Sequence, residues 1–276
     1  MKRLMTSKEY HAHQAIGSSL LKKAHATSIA HALSDSFEMT DDKAIGLYTH
    51  ALLLEPESVS RDFAIAPKCD RRTTAGKAIW ESFCLDAESN NKEVIKQEVA
   101  EIALMIKEAV LKHAFAGDIL SGGESEYSYF TKDKETGLEL KCRPDYKNKG
   151  ALIDLKTTQD ASLDGFGKEI GKWNYHIQAA YYLDVHNAAT GENLKDFFFI
   201  ACEKKAPFAL AVYQLSEVDI EAGREAYRAT LKKYANYLKE VESIGKDAAL
   251  RKNAYPEVIA MISAPYWMLD KIKVGV

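Results

Sequence analysis

The chain of 276 residues has no run of about 18 or more apolar residues, so no membrane-spanning helix is expected. Its first residues, MKRLMTSKEYHAHQ, carry basic side chains with no apolar stretch behind them; a secretory signal is not expected, and the expected location is cytoplasmic. Only four cysteines occur (Cys69, Cys84, Cys142 and Cys202), far apart and without a C-x-x-C pair. That spacing offers neither a zinc site nor a disulfide framework, and the thiols should be reduced and mostly buried. Fifteen glycines and six prolines are too few for a long structureless linker, so the reading is a single domain over 1–276. G-x-G-x-x-G, G-x-S-x-G and H-E-x-x-H are all missing. Ala75-Gly76-Lys77 invites a phosphate-loop reading, but Arg71 stands where that loop needs Gly and Ala78 where it needs Ser or Thr.

A formal charge of −3 excludes a uniformly basic nucleic-acid coat, yet the charge is unevenly placed. Lys68, Arg71, Arg72 and Lys77 form one basic cluster, and Lys141, Arg143, Lys147, Lys149 and Lys156 form another. Acidic residues gather at 92–108 and 217–242. The loop with Arg71, Arg72, Thr73 and Lys77 is a candidate phosphate-backbone contact, the ordinary alternative being a solvated basic turn.

Apolar spacing predicts a short helix over 42–54, ended by Pro56, and a long amphipathic helix from about 92 to 116. Residues 126–130 and 138–143 then read as a hairpin turned by Gly137, and 151–157 as an inner strand after Asn148-Lys149-Gly150. A helix over 172–189, strands at 196–202 and 208–215, and a helix from Ser216 to about 241 complete the pattern. The fold class is α/β: a mostly helical part over 1–120, a mixed central sheet flanked by helices over 121–245, and a tail over 246–276.

The chemistry concentrates in Arg143-Pro144-Asp145 and Asp154-Leu155-Lys156. On a strand, i and i+2 share a face, so Asp154 and Lys156 point to one side and Leu155 to the core. Two aspartates brought together by a hairpin suit Mg²⁺, and a neighbouring lysine can position water and offset charge growing on a phosphorus centre. Such a bare motif arises by chance in roughly one protein in ten of this size. What distinguishes it here is Asp154 inside the apolar stretch ALIDL, where an unpaired carboxylate costs several kcal/mol. The ordinary alternative is a structural salt bridge from Asp154 to Lys156 or Arg143. Gln178 and Tyr182, spaced i, i+4, present an amide and a phenol on one helix face, suited to a phosphate or base edge. Glu126 could add to the acidic set, with Glu124 its competitor, and His50 reads by itself as a hydrogen-bonded core histidine.

GLYTHALLLEPE (46–57), DRRTTAGK (70–77), KDKETGLELKCRPD (132–145), ALIDLKTT (151–158) and YHIQAAYYLD (175–184) resemble the RecE-type exonuclease VIII family of phage and prophage recombination nucleases, within the PD-(D/E)xK superfamily. The similarity runs from about Tyr10 to Trp267. It implies a restriction-endonuclease-like PD-(D/E)xK core and a Mg²⁺-dependent exonuclease, with Mn²⁺ a possible substitute. The implied enzyme degrades the 5′-ended strand of linear double-stranded DNA and leaves a 3′ overhang for a RecT-type single-strand annealing protein. By position, His50, Asp145, Asp154 and the Leu155 backbone carbonyl match metal ligands, Lys156 the catalytic lysine, Glu126 the acid opening the first strand, and Gln178 with Tyr182 the Q-x-x-x-Y helix. A homotetrameric ring around DNA is the implied assembly, and surface packing is implied for the C-terminal tail. A structure-selective endonuclease on the same fold, or a catalytically dead DNA-binding scaffold, are the alternatives.

Overall fold

In a computed structural model, residues 1–34, 38–148, 150–255 and 258–265 are described. Lys149, Trp267 and the C-terminal tail beyond 265 lie outside the described residues. The N-terminal part contains β1 (Lys2–Arg3), α1 (Ser7–Ala12), α2 (Ser18–Ala26), α3 (Ile29–Ser34), α4 (Asp41–Leu54), α5 (Val59–Asp62), β2 (Phe63–Ile65), α6 (Thr74–Ser89), β3 (Glu93–Ile95), α7 (Gln97–Lys112) and α8 (Ala114–Ile119). The remainder is β4 (Glu124–Ser125), β5 (Ser128–Lys132), β6 (Glu139–Cys142), β7 (Tyr146–Asn148), β8 (Ala151–Thr158), α9 (Leu163–Trp173), α10 (Tyr175–Thr190), β9 (Asp196–Glu203), β10 (Leu210–Gln214), α11 (Glu217–Ile244) and α12 (Lys246–Lys252).

The expected α/β class holds. The main sheet has the order β10-β9-β8-β7-β4, with β8 and β9 parallel and the other pairs antiparallel. Its central strand β8 alternates as its sequence requires: Leu152 belongs to the core against α10 and α11, while Ile153 and Leu155 belong to the core against α4 and α7. Each of these three side chains is at most 1% exposed, and each contributes about 1.5–3 kcal/mol by leaving water. Helix α4 forms where expected; the Thr40 side chain caps it by accepting from Lys43 N–H, and Asp41 and Asp42 sit favourably in its first turn.

Half of the sixteen residues of α10 are buried, because the helix lies between the sheets and α11. The close approach depends on Gly223 of α11, where a Cβ would come within 2.2 Å of the His176 carbonyl oxygen.

Four expectations need correction. The hairpin at 126–143 is present, but β5 and β6 form a separate three-stranded sheet with β1. Glu126 has φ +55, a left-handed conformation that interrupts the path from β4 to β5, and Pro144, without an N–H, stands between β6 and β7. Glu126 therefore does not open a strand; it lies in the break between two. The helix expected over 92–116 begins instead as a strand, because β3 pairs in parallel with β2, and it is divided at His113, whose extended backbone ends α7 and whose side chain caps α8. The helix expected over 172–189 is the end of α9 and the body of α10, separated by Asn174 at φ +54, a conformation Asn tolerates better than most residues. Finally, Lys141 and Arg143 are buried, each 7% exposed, so the second basic cluster is not an open surface patch. Lys141 donates to the carbonyls of Tyr10 (2.6 Å) and His13 (2.8 Å), and Lys147 pairs with Glu192 at 2.9 Å.

Candidate active site

The chain passes from the main sheet to the small one between β4 and β5 and returns between β6 and β7. The two crossings are tied together, with Glu126 N–H donating to the Asp145 carbonyl at 3.1 Å. They place Glu126 and Asp145 side by side, and α4 brings His50 across from the other layer. Ligand atoms of His50, Glu126 and Asp145 all lie within 4.8 Å of one another. Glu124, the competing acid, instead pairs with Lys2 at 2.6 Å.

Second contacts orient this group. Asp145 Oδ2 accepts from Leu155 N–H at 2.7 Å and lies 3.4 Å from His50 Nδ1. His50 Nε2 is 2.8 Å from the Leu155 carbonyl oxygen; a carbonyl only accepts, so Nε2 carries the proton and donates. In the neutral ring, Nδ1 then keeps its lone pair toward Asp145, the orientation a metal-binding histidine needs. The Leu155 carbonyl, expected as a ligand, accepts this hydrogen bond with one of its two lone pairs. Arg143 Nε lies 2.6 Å from Glu126 Oε2, and its Nη2 donates to Glu55 Oε1 at 3.3 Å.

The second half of the site is on β8 and α10. Asp154 is 1% exposed, and Gln178 Nε2 donates to its Oδ1 at 2.6 Å while Lys156 Nζ pairs with its Oδ2. The carboxylate therefore meets the cost of burial with an ion pair and an amide. Lys156 Nζ also lies 5.0 Å from the centre of the Tyr175 ring. Gln178 Oε1 accepts from Lys22 Nζ of α2 at 2.7 Å. Tyr182, one turn further along α10, is half-buried, and its carbonyl accepts from Cys142 Sγ at 3.7 Å.

These contacts spread the charges unequally. Burial and the Asp145 charge push Glu126 up to about 8, and burial together with Asp154 raises Asp145, against the pull of His50 and Lys156. Burial alone would lower Lys156, but Asp154 and Asp145 outweigh it and raise the ammonium above the usual lysine range. Two carboxyls that resist ionisation and one firmly charged lysine describe an acidic pocket short of positive charge.

The basic loop stands apart from this cluster in its contacts. Arg71 lies over the Trp80 ring at 4.6 Å, and Arg72 makes a double contact with Asp70, both at 2.9 Å. Thr73 caps α6 by accepting from Gly76 N–H at 3.0 Å, and Lys77 is exposed. Lys22, Tyr175 and the pairing of Arg143 with Glu126 escape a reading of the sequence. Arg143 is legible as a charge next to Asp145, but Lys22 lies 156 positions from Gln178 and carries no local signal.

A family model described as a PDDEXK-like domain of unknown function (DUF3799) matches residues 18–246. Among solved structures, a protein from Eubacterium rectale provisionally named an exonuclease is similar over 99% of this chain and 100% of its own, with a TM-score of 0.61 at 14% identity. At that identity the likeness speaks for the fold. A second, SSO0001, is 18% identical over 76% of this chain and 84% of its own, with a TM-score of 0.27. No curated protein matches the chain in sequence.

Proposed function

The chain belongs to this family of PDDEXK-like domains, and from that premise we propose that it is a divalent-metal-dependent exonuclease acting on linear double-stranded DNA. The observation that carries the reading is the convergence of His50, Glu126 and Asp145 beside the Asp154–Lys156 pair. Hard carboxylate oxygens and an imidazole with a free lone pair fit a divalent cation, and the raised carboxyls are those expected where such a charge is wanted. Mg²⁺ is the proposed ion, with Mn²⁺ as a substitute. A cation bound there supplies Lewis acidity toward a phosphate oxygen and a more acidic water.

The protein's own part follows from its contacts. Lys156, kept protonated by two carboxylates, serves as a fixed positive charge toward a pentacoordinate phosphorus centre rather than as a base. Asp154 and Tyr175 hold that ammonium in place, and Gln178 fixes Asp154. Arg143 holds Glu126 toward the cluster. Arg71, Arg72, Thr73 and Lys77 are proposed to contact the DNA backbone, and Gln178 with Tyr182 to lie along the strand being cut. The resemblance to RecE-type nucleases supports 5′→3′ polarity, a ring-shaped homotetramer, cytoplasmic work in recombination, and a RecT-type annealing partner.

Digestion of strand-specifically labelled linear and closed-circular duplexes, with and without Mg²⁺, tests the proposal. Metal-dependent loss of the 5′-ended strand from linear DNA, with circles spared, is expected. Cutting of closed circles at a comparable rate would instead favour the endonuclease on the same fold.

A further inference from the structure

Beside the Asp154–Lys156 pair, a cavity of about 740 Å³ opens between α2, α3 and the turn from α9 to α10. Lys22, Lys23, Lys172, His31, Trp173 and Tyr175 give it its character, and among the described residues no carboxylate lines it. On a chain of net charge −3 that is an unusual local balance. The cavity is connected to the active site through two side chains. The Tyr175 ring has Lys22 Nζ 5.2 Å and Lys156 Nζ 5.0 Å from its centre, and Lys22 donates to the Gln178 amide that holds Asp154. Trp173 is 49% exposed at the cavity, with Lys172 Nζ 4.7 Å from its ring centre. An exposed indole among cations is the combination that holds unpaired bases and their phosphates. The volume lies within the roughly 300–1,000 Å³ of small-ligand pockets, room for about one or two nucleotides and not for a duplex.

We propose that this cavity binds a short single-stranded segment of the nucleic acid adjoining the bond to be cut, with Trp173 stacking on a base and Lys22 and Lys172 facing its phosphates. The inference rests on the nuclease reading for its choice of ligand. It adds that the strand is unpaired where it meets Lys156. Burial and the Lys156 charge draw Lys22 down to about 7, against the opposing pull of Asp154.

The test uses a fluorescein-labelled pentathymidylate, titrated into the full chain in EDTA so that binding is read without turnover. Trp173→Ala should weaken binding about tenfold, the loss of one stacked base. Lys172→Ala should weaken it most at low salt, with a shallower salt slope. Lys168→Ala, on the same helix but outside the cavity lining, should change nothing. Unchanged affinity in Trp173→Ala, or equal binding of a pentaglutamate, would overturn the proposal. Duplex digestion by the unaltered protein is followed in parallel. Absent digestion with Trp173-dependent oligonucleotide binding would remove the nuclease reading and keep a single-strand site at this cavity, whereas intact digestion with Trp173-independent binding would keep the nuclease reading and remove the site.

Discussion

The two regions proposed to meet DNA are built on opposite principles. Around β8 and α10, the site's carboxylates are enclosed and tied to partners: Asp154 to Gln178 and Lys156, Glu126 to Arg143, and Asp145 to the Leu155 amide. Around α6 the reverse holds. Of its sixteen residues only Gly76 and Ala87 are buried, Ile79 and Leu85 are exposed, and the helix is anchored beside the two-stranded β2–β3 sheet. In the first region chemistry and stability share the same residues; in the second they are separable, because a side chain that packs against little contributes little to folding. Substitutions should therefore have mixed consequences in one place and purely functional ones in the other.

The strongest way to break that contrast is at Asp154. Asp154→Ala should abolish cleavage and also cost about 3–5 kcal/mol of stability, since it leaves the Lys156 charge buried beside an empty position. Denaturant unfolding and nuclease assays on one preparation measure both, and an inactive variant of undiminished stability would contradict the coupling. Lys156→Ala should lower turnover by about 10²–10³-fold while retaining metal binding, as read by single-turnover kinetics and calorimetry. Metal binding retained with near-normal turnover would remove the proposed electrostatic role.

The pH dependence of metal affinity is a third measure. With Glu126 raised to about 8 and Asp145 raised as well, the folded chain holds protons that the unfolded chain has released. Stability of the metal-free protein therefore falls as pH rises from the ordinary carboxylate range toward 8. A cation needs both groups ionised, so its binding should release protons and tighten with pH up to about 8, which calorimetry in two buffers of different ionisation enthalpy would detect. Binding without proton release at pH 7 would mean that the carboxyls are already ionised.

The smallest expected effect on folding belongs to the exposed region. Replacing Arg71, Arg72 and Lys77 with Ala should leave stability within about 0.5 kcal/mol. It should reduce the salt slope of DNA binding by about 0.9 for each phosphate that the protein no longer neutralises. Arg72, already paired with Asp70, should matter least. An unchanged slope would return the loop to a solvated turn.

Much of this architecture is legible because local patterns are honest. The alternation of 151–158 gives β8 its two faces, and the 3.6-residue spacing of 41–54 gives α4. Asp154 within ALIDL points to a buried, compensated charge. What is not legible depends on backbone conformation or on distance. Nothing in the residue type of Glu126 announces a left-handed backbone, so Glu126 reads as the first residue of a strand rather than as the seam between two sheets. Charge counting cannot detect burial, so Lys141 and Arg143 read as an open patch when each is enclosed by carbonyls or carboxylates. Residues 97–112 and 114–119 both carry helical spacing, and only the His113 backbone separates them.

The amide of Gln178 has a further consequence for how this sequence can drift. Its oxygen faces a lysine from residue 22 and its nitrogen an aspartate from residue 154, so its two ends are specified by partners of opposite sign. Glutamate, of the same shape, would set two acceptors against each other on the Asp154 side. Methionine, of similar bulk, would take from both neighbours the hydrogen bond that the amide supplies. Neither a charge-changing nor an apolar replacement is tolerated while the neighbours stay as they are. Three positions spread across 156 residues of chain are thereby bound to change together or not at all, and a variant altered at one of them should recover fitness through a second change at another before it does so anywhere else.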